Sequence, residues 1–474
     1  AAEAFPTQGI EPQSGFHEID LVKLRNDLAA AIRAVLVKAN LTGKEIAGIA
    51  TVGHGKGLYV LDNDYHIFMN GILSADSRAE EYAEEFEKRV SKIYSISRQH
   101  VMPSQAPVLL KWIKDNRPEE YEKIGAVLSN KDFVGFLLTG VVKQEIGDAS
   151  GNNFLNLATQ QYDAKLFDFF DIPEMFDKMP ELIKATDLRG TITQAAAAQT
   201  NLQEGTPVFG GMFDIDACAI DDSKFSVIAG TWNMNIFPSD KTAPQESGLM
   251  NSIFPTGKNL IEASSPTSAG NLAIILKMLM TAEMRDAKDA GHSIYDDLEA
   301  FLENTDATFS KVLFFPFLYG SNAAPDAEGS FIGLRSNTTK SEMIRAVYEG
   351  IAFAHKYHIE ALQKVSHKPE VIRMSGGACN SSSWVQMFAN VLNVPVELVN
   401  ATELGGLGGA IASAVGTGVY SSLEEASRSM SSVKRHYDPQ PDQVKIYNAK
   451  YQAYLSFLKA MDSCWRDFKQ LQDG

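Results

Sequence analysis

The chain has 474 residues, 45% of them hydrophobic and 22% charged, and carries a formal net charge of −16. That length exceeds one ordinary core and predicts two domains, and the composition is that of a globular protein. The negative balance repels phosphate backbones, which argues against nucleic acid but leaves room for a locally basic site. Cys218, Cys379 and Cys464 form no C-x-x-C pair, which suits a cytoplasmic location, and no apolar run is long enough to span a membrane.

Leu21, Leu24, Leu28, Ile32 and Leu36 recur at helical spacing and predict an amphipathic helix over 21–39. Strands follow at 46–52 and 58–61, separated by the glycine cluster Gly53-His54-Gly55-Lys56-Gly57. Helices are predicted over 79–94, 106–116 and 132–138. A strand at 207–211 runs into a helix near Asp214, and strands at 225–228 and 233–237 flank the turn Gly230-Thr231. A domain boundary is placed near Asp222, giving segments 1–222 and 223–474. Beyond it come a long helix over 343–362, a strand at 371–374, a helix bearing Trp384 and Phe388 on one face, and a strand at 396–399. That βαβ unit implies a parallel sheet and an α/β fold.

The run at Gly53 lacks the Ser or Thr of a P-loop and is not a dinucleotide fingerprint. His355 and His358 share a helical stripe with Ile351 and Leu362, which fits satisfied, buried histidines better than metal ligands. Four glycine-centred turns remain: Gly210-Gly211, Gly230-Thr231, Ser375-Gly376-Gly377 and Gly405–Gly409. Such turns let backbone N–H groups approach a phosphate, and singly each is more often an ordinary turn or close-packing site. Asp214 is either a helix cap or a base, and Asp216 reads as a charge complementing the helix dipole.

Together these landmarks resemble the FGGY carbohydrate kinases over almost the whole chain. The matching residues are Gly210-Gly211-x-x-Asp214, Gly230-Thr231, Ser375-Gly376-Gly377-Ala378 with Trp384, and Gly405–Gly409. Phe315-Pro316-Phe317-Leu318-x-Gly320, Arg345-Ala346-x-x-Glu349-Gly350 and Leu138-Thr139-Gly140 complete the set. The resemblance implies an α/β fold of two actin-like, ribonuclease H-like domains with a catalytic cleft between them. It implies a sugar kinase using ATP and Mg2+, with the metal on the phosphates and no protein metal site. By the same resemblance Asp214 is the catalytic base. Gly230, Thr231, Ser268, Gly270, Asn271, Gly376, Gly377 and Asn380 are its nucleotide-binding residues.

Gly55-Lys56-Gly57-Leu58-Tyr59-x-Leu61-Asp62 and Asn70-Gly71-Ile72-Leu73-Ser74-x-Asp76-x-Arg78-Ala79 are similar to members acting on L-xylulose and 3-keto-L-gulonate. That likeness implies a small ketose or keto sugar acid as substrate. Lys56 is then either a solvated loop lysine or a donor to a sugar hydroxyl or carboxylate. His54, Asp76, Arg78, Asp148 and Asn153 are expected on the same wall. Other sugars (gluconate, D-xylulose, ribulose), a catalytically silent sugar-binding relative and an actin-like ATPase without a sugar are the alternatives. The expected partners are the sugar and, in a homodimer, a second copy. The family's opening Asp-x-Gly hairpin has no match before Gly15, so the chain is expected to begin after it.

Overall fold

A computed structural model of the chain describes residues 1–6, 8–219, 221–321, 323–324, 326–401 and 403–472. They form two compact units. The first comprises Ala1–Asp222, Pro238–Ile261 and Ala401–Ser431, and the second Ser223–Phe237, Glu262–Asn400 and Ser432–Gly474. The chain thus passes from one unit to the other beside Asp222, then returns twice to the first. One return is anchored where the Ser150 hydroxyl accepts from Ile253 N at 2.8 Å. The other is anchored where the Leu404–Gly416 helix packs on residues near Asp214.

In the first unit, Pro207–Phe213 runs parallel to Ile49–Gly53 and antiparallel to Leu188–Thr191. Its register slips between Phe209 and Met212, where Gly210 and Gly211 lie. Gly211 has φ of 79°, and a Cβ there would strike the Thr51 carbonyl, so only glycine fits this bulge. The bulge re-aims the strand straight into the Asp214–Cys218 helix. The run Gly405–Gly409, expected as a turn opening a helix, does lie at the start of the Leu404–Gly416 helix, but as part of the helix itself rather than a preceding turn. A Cβ on Gly408 would sit 2.6 Å from the Ala217 Cα, so this run serves close packing.

Helix Leu21–Ala39 forms where expected, capped by Asp20, whose carboxylate accepts from Val22 N and Lys23 N. The helix expected over 79–94 breaks after Glu80–Glu87 into a short turn, Val90–Lys92, and a further helical turn, Tyr94–Ser97. Burial of Val90, Ile93 and Tyr94, with the Tyr94 hydroxyl donating to the Ala243 carbonyl at 3.1 Å, overrides local propensity there.

In the second unit the sheet order runs Asn259–Ser265, Asn233–Ser239, Phe225–Ala229, Ile372–Ser375, Val396–Val399, Val433–Tyr437. Phe225–Ala229, Ile372–Ser375 and Val396–Val399 are mutually parallel, as the βαβ reading requires. Helix Lys340–Val365 begins at a capping box formed by Thr339 and Glu342 and buries most of its length. Among the described residues no helix is long and apolar enough to cross a membrane.

Candidate active site

The second unit brings three of its sequence-predicted segments together at one end of the sheet. Strand Phe225–Ala229 ends at Gly230-Thr231, and Ile372–Ser375, its parallel neighbour, ends at Gly376. Gly376 has φ of 91°, and a Cβ there would lie 2.6 Å from the Ala229 carbonyl carbon. Helix Ala269–Leu279 starts at the same place: Ala269 N donates to the Gly230 carbonyl at 2.9 Å. A Cβ on Gly270 would be 3.2 Å from the Thr231 methyl. Thr231, Gly377 and Asn380 are exposed. Two backbone turns and one helix N-terminus therefore meet, which is the arrangement that binds phosphate through N–H groups.

Ser268 and Asn271 belong to this region differently from what the sequence suggests. Both are fully buried. Asn271 donates to the Pro266 carbonyl at 2.8 Å and accepts from Leu318 N at 3.1 Å, and Ser268 pairs with His355 Nε2 at 3.0 Å. Their side chains hold the turn from inside.

In the first unit Asp214 stands half-buried at the start of its helix, where its Oδ1 accepts from Ile215 N at 2.8 Å. Around it lies a buried cluster of ionisable groups, of which the sequence reading marked only Asp148 as a site residue. Lys131 Nζ sits 2.9 Å from Asp132, 3.4 Å from Glu145 and 3.7 Å from Asp148, and Arg189 pairs with Asp132. Burial opposes ionisation of Asp132, but Lys131 and Arg189 hold its carboxyl below the usual range. Asp148 is less well compensated. Burial, with Asp132, Glu145 and Asp214 nearby, pushes it up to about 8.

Asp216 corrects the reading of it as a solvated dipole charge. It is buried, neither carboxyl oxygen has a hydrogen-bond partner, and burial followed by Glu145, Asp148 and Asp214 raises it well above the usual range. Burial and the neighbouring carboxyls Glu145, Asp148 and Asp214 therefore all favour its protonated form.

The proposed sugar wall divides in two. His54 and Lys56 lie on a partly buried loop, with His54 Nε2 2.9 Å from the Tyr59 hydroxyl and Lys56 in a left-handed conformation at φ of 61°. Burial keeps the His54 imidazole below its ordinary value. Asp76 and Arg78 instead turn inward. Arg78 pairs with Asp76 at 2.8 Å and Glu18 at 2.9 Å, and its guanidinium lies over the Phe16 ring at 4.1 Å. The partner Glu18 lies sixty residues from Arg78 in sequence, so that pairing was not legible there. Asn153 is buried too and donates to Gln105 Oε1 at 2.9 Å, while its own Oδ1 lacks a hydrogen-bond partner.

The FGGY carbohydrate-kinase N-terminal domain model matches residues 1–220, and the C-terminal domain model matches residues 225–417. The chain belongs to the FGGY family of carbohydrate kinases. This FGGY kinase is 31% identical to the L-xylulose/3-keto-L-gulonate kinase of Escherichia coli, over 97% of the chain and 92% of that protein. It is 32% identical to a probable L-xylulose kinase of Haemophilus influenzae, over 95% of the chain and 92% of that protein. Its fold matches the gluconate kinase structure from Lactobacillus acidophilus with a TM-score of 0.85 at 23% identity, covering 98% of this chain and 94% of the other. The kinase is therefore an α/β two-domain sugar kinase, and ATP is its expected phosphoryl donor.

Among the described residues no three His, Cys, Asp or Glu side chains are grouped to hold a metal ion.

Proposed function

We propose that this kinase phosphorylates L-xylulose or 3-keto-L-gulonate with Asp214 as general base and Mg–ATP as donor, in the cytoplasm. The observation that supports the substrate most is Lys56. It is a cation on a partly buried loop, in a chain about 31% identical to a kinase named for those two sugars. An ammonium there suits a keto or carboxylate oxygen.

Asp214 takes the proton of the attacking hydroxyl. Burial and neighbouring carboxyls push Asp148 up to about 8 and raise Asp216 as well, which lessens the negative charge facing Asp214. A positioned carboxylate contributes about a hundredfold or more. The turns at Gly230-Thr231 and Gly376-Gly377 receive the phosphates through backbone N–H groups and the Thr231 hydroxyl. Bound magnesium supplies charge neutralisation on the phosphates. Phosphoryl transfer passes through a loose transition state, so positioning and charge stabilisation carry the catalysis.

A coupled assay of ADP release over L-xylulose, 3-keto-L-gulonate, D-xylulose, ribulose and gluconate tests the assignment. The highest kcat/KM is expected with one of the first two. A preference for D-xylulose, ribulose or gluconate would reassign the substrate. Equal ADP release with and without each sugar would point to a silent relative or a sugar-independent ATPase.

A further inference from the structure

Beneath the glycine turns runs a closed network of uncharged side chains. His355 Nδ1 lies 3.0 Å from Asn235 Oδ1, and its Nε2 lies 3.0 Å from Ser268 Oγ. Asn235 Nδ2 donates to Asn233 Oδ1 at 2.6 Å and to the Ala263 carbonyl at 3.2 Å. Asn233 Nδ2 donates to Thr267 Oγ1 at 3.1 Å, Thr267 meets Ser265 at 2.7 Å, and Ser265 meets His358 Nε2 at 2.7 Å. All of these residues are buried.

The Ala263 carbonyl can only accept, and that orients the Asn235 amide. The other arm of the amide is its oxygen, so His355 Nδ1 must carry the proton. The imidazole is neutral because burial, and His358 nearby, hold it well below its ordinary value. A neutral imidazole has one N–H, so Nε2 is bare and Ser268 must donate to it. The hydroxyl of Ser268 thus spends its only proton inward and cannot donate to a phosphate. The segment leading to Gly270 is held at Ser265 and Ser268 by two histidines of one helix, and at Thr267 by Asn233.

We infer that His355 is a positioning residue for the nucleotide turns, fixed as the Nδ1–H tautomer and acting through Ser268 on the start of the Ala269–Leu279 helix. The inference rests on the reading that these turns receive ATP, but the tautomer does not.

Nitrogen-15 NMR of histidine-labelled protein without nucleotide reads the tautomer directly. Nδ1–H is expected for His355, whereas the Nε2–H form, the commoner one in free imidazole side chains, would overturn the inference. Kinetic variants test the action through Ser268. His355→Asn keeps a group at the Nδ1 position and loses Ser268, whereas His355→Gln reaches the Nε2 position. His355→Asn and Ser268→Ala are each expected to raise KM for ATP about tenfold with KM for sugar unchanged, and His355→Gln to restore most of it. If Ser268→Ala weakened ATP while His355→Asn did not, Ser268 would itself bind nucleotide and the positioning role would fall. Lower thermal stability with an unchanged KM for ATP in both variants would also overturn that role. Loss of sugar-dependent ADP release in the parent would count against the proposed function instead.

Discussion

The two units solve the problem of a buried polar site in opposite ways. Around Asp214 the first unit packs ionisable groups together: Lys131 and Arg189 against Asp132, Glu145 and Asp148. Around its glycine turns the second unit uses neutral groups: hydroxyls, amides and two uncharged histidines. On the proposed function the difference follows from what each would hold. A nucleotide brings its own negative charge, so backbone N–H groups on a neutral foundation bind it without a buried carboxylate to repel it. A base must itself stay charged at the edge of the core, which needs buried cations and neighbouring acids that keep their protons.

If that contrast is right, breaking the charged side should cost most. Lys131→Met strands Asp132, Glu145 and Asp148 without their shared cation, and about 3–5 kcal/mol of unfolding free energy should be lost in urea melts. A loss under about 1 kcal/mol would mean that the cluster is not held by charge.

The neutral side is exposed by acid. Burial lowers His358 to about 4, so the unfolded chain binds a proton that the native state refuses. Stability from this group is present above pH 6.5 and is lost as pH falls towards 4, by roughly 3 kcal/mol at full expression. Asp148 has the reverse sign. Its carboxyl keeps a proton up to about pH 8, so its contribution falls as pH rises from about 4 to 8. Urea melts at several pH values of His358→Gln and Asp148→Asn should flatten these two slopes separately. A common slope in both variants would contradict the assignment.

The smallest effect concerns the sugar. Lys56→Met should raise KM for the preferred sugar roughly tenfold with the ATP KM unchanged. An unaltered sugar KM would return Lys56 to a loop lysine.

Legibility in the sequence followed locality. Helix Leu21–Ala39 and helix Lys340–Val365 were readable because their apolar spacing lies within a few residues, and each proves to start at a side-chain cap close by in the chain. The turn at Gly376 was readable because a backbone that must approach another backbone demands glycine, whereas a Cβ at Gly230 would meet nothing. The run at Gly405–Gly409 has the same residues but a different cause: its neighbour is Ala217, far away in the chain, and the glycines lie within a helix. Arg78 was expected to contact sugar while its partner Glu18 is sixty residues away, and Lys131 drew no reading at all because Glu145 and Asp148 reach it only in the fold. Residue type was visible; the partner that decides its role was not.

Asp214→Asn tests the account most directly. Equilibrium binding of ATP and the preferred sugar should be retained while kcat falls at least about a hundredfold. A variant that turns over at the parent rate would show that the proton leaves by another route and that this carboxylate is only a helix cap.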